Sequence, residues 1–425
     1  MLTRTNAFRI APPALALIVL GVWVTSARPA EAATAVTEAV SVTAAGEPVA
    51  TAYRPAMTAD ARFVAFSSTR AGLVVSDTDA VEDVFVRDRK TAKNVLVSVD
   101  SSERKGNNTS RVAHLSDDGR FVVFESIASN LVRGDTNRTT DIFVRDVKSG
   151  TTARVSVATG GRQADSFSSG AKISGNGRFV AFVSMASTLV AGDTNGSSDV
   201  FVRDLKEGTT ERVSIGPGGQ ARSGSGTLGI SADGRYVLFT MYANSTTTDS
   251  AVWVRDRVKG TTTSLHSRFA APQALALSRN GRFAVFLSAD ALVRGDTNGK
   301  RDVFVRDLVK GVTERVSVSS SEGQVSGTMA PGGVASISDD GRFVAFGSGA
   351  TNLVPGDTNN FEDVFLRDRS KGTTVRVVPG VGGAQPNNTT SYPVLDSTGR
   401  FVAVANAASN VGPRAGVLVR DRGGL

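Results

Sequence analysis

The chain has no cysteine, so it has no disulfide, thiolate metal site or cysteine nucleophile, and its stability must come from core burial. Histidine is nearly as scarce. His114 and His266 are the only two among 425 residues, and each fits a packed or capped residue near a short apolar segment better than a general base. Tryptophan occurs twice and tyrosine four times, and no basic stretch is interleaved with aromatics in the way that base stacking requires. A Gly-x-Ser-x-Gly nucleophile turn is missing as well. So is helical periodicity: after the first 32 residues, no ten-residue stretch keeps a 3.6-residue apolar period.

Only one long apolar run is present, at the N-terminus. Arg4 and Arg9 precede the run from Ala14 to Val24, and Ala30-Glu31-Ala32 offers a small-residue cleavage site. The run is short for a membrane span. It reads as a secretory signal over residues 1–32, which places the mature chain, 33–425, in the periplasm, the cell envelope or the exterior.

What the chain does have is repetition. A Gly-Arg-Phe signature, Ala-Arg-Phe in the first copy and Gly-Arg-Tyr in the fourth, places Arg at 62, 120, 178, 235, 282, 342 and 400. The steps are 58, 58, 57, 47, 60 and 58 residues, a period that signals a solenoid, propeller or array. In the second copy, Val112 to Leu115, Arg120 to Glu125, Asp141 to Val144 and Ala153 to Val157 read as four strands, A to D, with turns at Ser116–Gly119 and Lys148–Gly150. Strand B is apolar on both faces, Phe121 and Val123 on one and Val122 and Phe124 on the other. Such a strand must be covered on both sides, as it is in radially stacked blades.

The chain ends indicate a closed ring. The seventh copy has A, B and C strands but no D strand, whereas Ala39-Val40-Ser41-Val42 matches the D-strand pattern of Arg154-Val155-Ser156-Val157. The expected fold is therefore all-β: a seven-bladed propeller of four-stranded blades whose N-terminal strand completes the C-terminal blade, with residues 33–57 as the closing strand and connection.

The segments ISDDGRFVAF, DVFVRD and GVTERVSV, at 337–346, 302–307 and 311–318, resemble the WD40-like repeat of TolB-type β-propellers. The resemblance covers nearly all of the mature chain. Here the turn proline of that family is replaced by Asp117, Gly175, Ala232, Arg279 or Asp339. It implies fold more than function, because propellers host many unrelated activities.

The net charge of +8 has a distributed origin, since two Arg recur in every copy, which argues against a nucleic-acid partner. The B-to-C and D-to-A connections are the long ones and share one face, the expected working face. Most B-to-C loops carry an Asp-x-Asn-x-x-x-Asp motif: Asp135, Asn137 and Asp141; Asp193, Asn195 and Asp199; Asp296, Asn298 and Asp302; Asp357, Asn359 and Asp363. Blade 1 has the variant Asp77, Asp79 and Asp83. Two readings stand: an Asx-turn with the last Asp bonded to the loop, or a calcium loop supplying side-chain and carbonyl oxygens. Blades 4 and 7 lack the motif. In blade 4, Tyr242 and Trp253 are the expected asymmetric contact residues. The expected function is a non-catalytic, monomeric binding or scaffolding module for a protein or glycan. The alternative is a hydrolase or lyase acting on an extracellular polysaccharide.

Overall fold

The structure, a computed structural model, describes residues 1, 35–216, 219–220, 223–242, 250–265, 273–327, 329, 335–414 and 416–423. The expected signal and His266 lie outside these residues. Seven four-stranded antiparallel sheets form the blades of a closed β-propeller. In blade 2 the strands are Ser110–Leu115 (A), Phe121–Ser126 (B), Asp141–Asp146 (C) and Thr151–Arg154 (D). Blade 1 spans 52–96, blade 3 168–212, blade 4 223–264, blade 5 273–315 and blade 6 335–376. A two-stranded hairpin of Ile215–Gly216 and Gly219–Gln220 precedes blade 4. A strands meet A strands of adjacent blades around the central channel, and D strands lie outermost.

Blade 7 is composite. Its A, B and C strands are Thr390–Leu395, Phe401–Asn406 and Val417–Asp421, and its D strand is Val36–Ala39, paired antiparallel from Val36↔Asp421 to Ala39↔Leu418. The closing strand thus lies three residues earlier than the Ala39–Val42 expected from the pattern. A similar shift appears in blade 2, where the ladder covers Thr151–Arg154, beginning two and ending three residues before the expected Ala153–Val157. The reason is a sharp turn: the Val157 amide bonds the Val155 carbonyl two residues back (2.7 Å). Val155 and Val157 are buried on either side of that turn and not along a strand. The equivalence itself holds, because Ser41 Oγ accepts from the Val417 amide (3.0 Å) as Ser156 Oγ accepts from the Ile142 amide (3.1 Å).

Two-sided burial of strand B is met by neighbours. Val122 and Phe124 pack with residues of blade 1, and Val123 packs with residues of blade 3. Within a blade, Phe124 stacks on Phe143 of strand C at 5.7 Å, and blades 1, 3 and 5 repeat the stack at 5.8 Å.

The Gly-Arg-Phe signature is a joint between blades. Arg120 forms a forked pair with Asp146 at the end of strand C, and the six equivalent Arg pair with Asp88, Asp204, Asp256, Asp307, Asp368 and Asp421. The guanidinium also lies over the ring that follows it, at 4.7 Å for Arg120 over Phe121. That ring reaches into the next blade, where a Cβ added to Gly177 would stand 2.6 Å from Phe121. The repeated basic residues are thus consumed by the architecture, as their even spacing implies. The second series is likewise spent on carbonyls and hydroxyls, as in Arg145 to Asp100 O (3.0 Å) and Thr152 Oγ1 (3.1 Å).

Candidate functional site

The acidic loops are held from inside the chain. In blades 2, 3, 5 and 6 the Arg that ends strand D turns into the B-to-C loop. Arg154 meets Asp135 and Asp141 (both 3.3 Å), Arg212 meets Asp193 (3.5 Å) and Asp199 (4.0 Å), and Arg315 meets Asp296 (3.0 Å) and Asp302 (3.8 Å). Arg376 meets Asp357 and Asp363, both at 3.0 Å. The Asn of each motif forms the expected Asx-turn. Asn195 Oδ1 accepts from the Ser197 amide (3.0 Å), while its amide donates to Asp199 (2.9 Å). Asn137, Asn298 and Asn359 donate to Asp141, Asp302 and Asp363 in the same way. A calcium ion needs oxygens turned towards it. In these four loops the Asn oxygen faces the turn, and a guanidinium lies against the carboxylates.

Blade 1 reaches the same balance with different residues. Leu96 stands where the other blades have the strand-D Arg, Asp79 replaces the Asn, and Lys105 stands where Gln163 and Gln324 stand. Lys105 Nζ lies 2.8 Å from Asp77, 2.7 Å from Asp83, and in contact with Asp79. The three carboxylates converge within 4.8 Å of one another, so this is the loop best suited to a cation. Asp77 and Asp83 are buried, and removing the one cation that pairs with them among the described residues costs about 3 kcal/mol or more. Lys105→Met is therefore expected to lower Tm by several degrees, with millimolar calcium restoring part of the loss. The same melts on the unsubstituted protein are expected to be indifferent to chelator.

Blade 6 carries a further anomaly. Burial pushes the Asp363 carboxyl up to about 6 despite Arg376, and burial together with Asp363 pushes Glu362 up to about 7. Glu82, the equivalent residue of blade 1, accepts from Ser67 Oγ (2.7 Å) and pairs with Arg111 (3.5 Å). At those places stand Gly347 of blade 6 and Ser391 of blade 7. Because both folded values are raised, their stabilisation is complete below the ordinary carboxylate range and is lost as pH rises through 6 to 7. Tm should fall between pH 5 and pH 8, and Glu362→Gln should flatten that fall. The Arg-paired aspartates lie outside this window, with Asp88, Asp146 and Asp256 held down to about 2.

The residues expected to break the symmetry in blade 4 are divided. Trp253 takes the strand-C position held by Phe in blades 1, 2, 3, 5 and 6, where it is half-buried against the apolar cluster between blades 3 and 4. Tyr242 ends strand B opposite Ser250, and its side chain lies outside the described residues.

The asymmetry that opens a site lies in blade 7. Its B-to-C connection runs only from Asn406 to Val417, against Ser126 to Asp141 in blade 2, and has no acidic turn. Between blades 7 and 1 this leaves a groove of about 500 Å³ on the loop face, floored by Ala50, Ala52, Ala405 and Ala407. Tyr53 and Tyr392 line it and are 46% and 39% exposed, and Arg414 stands at its edge. The chain at the groove has an unusual conformation. Arg54 and Tyr392, both at the bulge of strand A, have φ of 52°, a region where bulky residues are seldom found and where blade 3 places Gly170. The sequence reading did not single out these residues. The available signal was the shortened loop together with two of only four tyrosines in the chain.

No protein-family model and no curated protein matches the sequence. Among solved structures, the β-propeller domain of the Trilobed protease from Pyrococcus furiosus is similar at TM-score 0.57 and 11% identity, over 88% of this chain and 93% of that one. That domain is described as having an open velcro topology, whereas here Val36–Ala39 closes the ring. The oligogalacturonate lyase from Vibrio parahaemolyticus is similar at TM-score 0.53 and 12% identity, over 91% and 97% of the two chains. TolB from Acinetobacter baumannii aligns at TM-score 0.41 and 14% identity, over 81% and 77%. The first two likenesses establish the propeller fold. No described helix is long and apolar enough to cross a membrane.

Proposed function

We propose that the chain is an exported, non-catalytic binding propeller that holds a glycan in the groove between blades 7 and 1. The groove carries this reading. Two exposed tyrosines line it beside several alanines, with Ser391 and Arg414 among the other lining residues. A sugar ring presents an apolar C–H face edged by hydroxyls, and Tyr offers a flat apolar body with a polar tip. Pockets of this kind take their affinity from apolar area and their orientation from a few polar groups. Backbone strain at Arg54 and Tyr392 supports the same reading, because strained residues persist where a site over-determines them.

The alternative, a polysaccharide hydrolase or lyase, has the named activity of one neighbour behind it. Likeness at that identity speaks for the scaffold alone. Among the described channel residues, Asp117 and Asp339 are both engaged by Arg279, so they are not a free carboxylate pair for glycoside cleavage.

The test is a glycan-array screen of the exported protein, followed by calorimetry on the best ligand. Tyr53→Ala and Tyr392→Ala should each weaken binding about tenfold or more with little change in Tm. Retention of full affinity by both variants would defeat the groove reading. Absence of any glycan hit, with a protein recovered from envelope extract only when both tyrosines are present, would replace glycan by protein.

A further inference from the structure

The opposite end of the channel holds polar groups that neither the fold nor the groove uses. One ring of channel-facing residues near the end of strand A reads Ala56, His114, Lys172, Gly229, Ala276, Ser336 and Val394. The next, at the turn position where the related repeat has proline, reads Ala59, Asp117, Gly175, Ala232, Arg279, Asp339 and Ser397. Most positions in both rings are small. Backbone bonds tie the second ring together, including Asp117 N to Gly175 O (2.9 Å), Ala232 N to Arg279 O (2.7 Å) and Ser397 N to Ala59 O (2.9 Å).

Arg279 of blade 5 reaches across this mouth to form an ion pair with Asp117 of blade 2, and it lies 3.5 Å from Asp339. Gly175 makes room for the bar, since a Cβ there would stand 2.2 Å from the Asp117 carboxylate. This end of the channel holds a cavity of about 170 Å³ lined by residues of all seven blades, His114, Lys172, Arg279 and Asp396 among them.

Asp117 and Asp339 answer the charge of Arg279, and Asp396 also lines the cavity, but the charge of Lys172 is not paired. Lys172 has no hydrogen bond or ion pair among the described residues, and Glu125 acts on it only through space while accepting from the Gly170 amide (2.7 Å). Lys172 is half-buried, and a charge held partly away from water gains from a counter-charge beside it. His114 sets a second requirement. Its Nδ1 is 3.1 Å from the Ile173 carbonyl, which can only accept, so in the neutral ring Nδ1 carries the proton and Nε2 is left as an acceptor. Enclosure and the neighbouring Lys172 and Arg279 keep that ring neutral near pH 7.

We propose that this cavity binds a small hydroxy carboxylate, its carboxylate paired with Lys172 and its hydroxyl donating to His114 Nε2, behind the Asp117–Arg279 bar. The anion supplies the missing counter-charge, and the hydroxyl supplies the donor that a neutral imidazole with Nδ1 occupied requires.

Four probes separate the two requirements: L-lactate, D-glycerate, acetate and glycerol, titrated into the full exported chain by calorimetry and by ligand-dependent melting. Lactate and glycerate should bind at least tenfold tighter than acetate, and glycerol should give no response. Lys172→Met should abolish the response to both hydroxy acids without lowering the ligand-free Tm, because it removes an uncompensated charge. His114→Phe should bring the hydroxy acids to the level of acetate. The proposal is overturned if none of the acids binds, if acetate equals lactate, or if Lys172→Met keeps the response of the unsubstituted protein.

Discussion

Deleting residues 33–52 is expected to abolish the cooperative unfolding transition, monitored by calorimetry or circular dichroism. The segment contributes the strand Val36–Ala39 and three buried valines, Val40, Val42 and Val49. Burial of three such side chains is worth about 5–9 kcal/mol, comparable with the whole stability of a typical domain. Ion pairing adds a second tie, since Glu38 accepts from Arg89 of blade 1 (2.8 Å). Deletion also leaves Val417–Asp421 as an unpaired edge, an invitation to aggregation. A truncated protein melting as the full one does would mean that closure is made elsewhere.

The second large effect concerns one methyl group. Gly234→Ala is expected to cost about 2–5 kcal/mol, from overpacking plus a left-handed backbone. The added Cβ would stand 2.2 Å from the Phe179 ring of blade 3, at φ of 74°. Gly192→Ala is the matched control. At φ of 71° and with nothing within 4 Å, it should cost only the backbone share, about 1–2 kcal/mol. Blade 1 has already made such a change, with Ala61 at φ of 58° and its methyl fully buried, so Ala61→Gly should be close to neutral, the backbone relief offsetting the lost methyl burial of about 0.8 kcal/mol. Denaturant unfolding of the three variants separates ring contact from backbone strain, and equal losses at Gly234 and Gly192 would remove the ring from the explanation.

Much of this architecture was legible because repetition multiplies weak signals. One RFVVFE segment is an ambiguous apolar run, but seven at a near-constant step, with a D strand missing at one end and present at the other, leave few alternatives. Strand bounds were less legible. The alternation in Arg154-Val155-Ser156-Val157 comes from a turn with buried residues on both sides, and periodicity alone does not separate that from a strand. The acidic loops were found but not their cations, since Arg154 lies 19 residues beyond Asp135 and belongs by pattern to another strand. The joint replacement of Arg by Leu96, Asn by Asp79 and Gln by Lys105 in blade 1 is the trace of that pairing. The groove was invisible for another reason: it is a volume left by a short loop, and no residue type announces it. The channel groups did appear as variants of a repeat position, yet only the ring brings Arg279 opposite Asp117.

The composite blade also sets a schedule for folding. The residues that pair across it are almost as far apart in sequence as the chain permits, Val36 with Asp421, and such contacts form late. During synthesis from the N-terminus, one half of the seam arrives first and has to wait for a partner that arrives last. Until then the leading strand and the growing face of the newest blade are both available to other chains. The moment of greatest exposure therefore falls just before completion, when six finished blades surround a single unfilled edge.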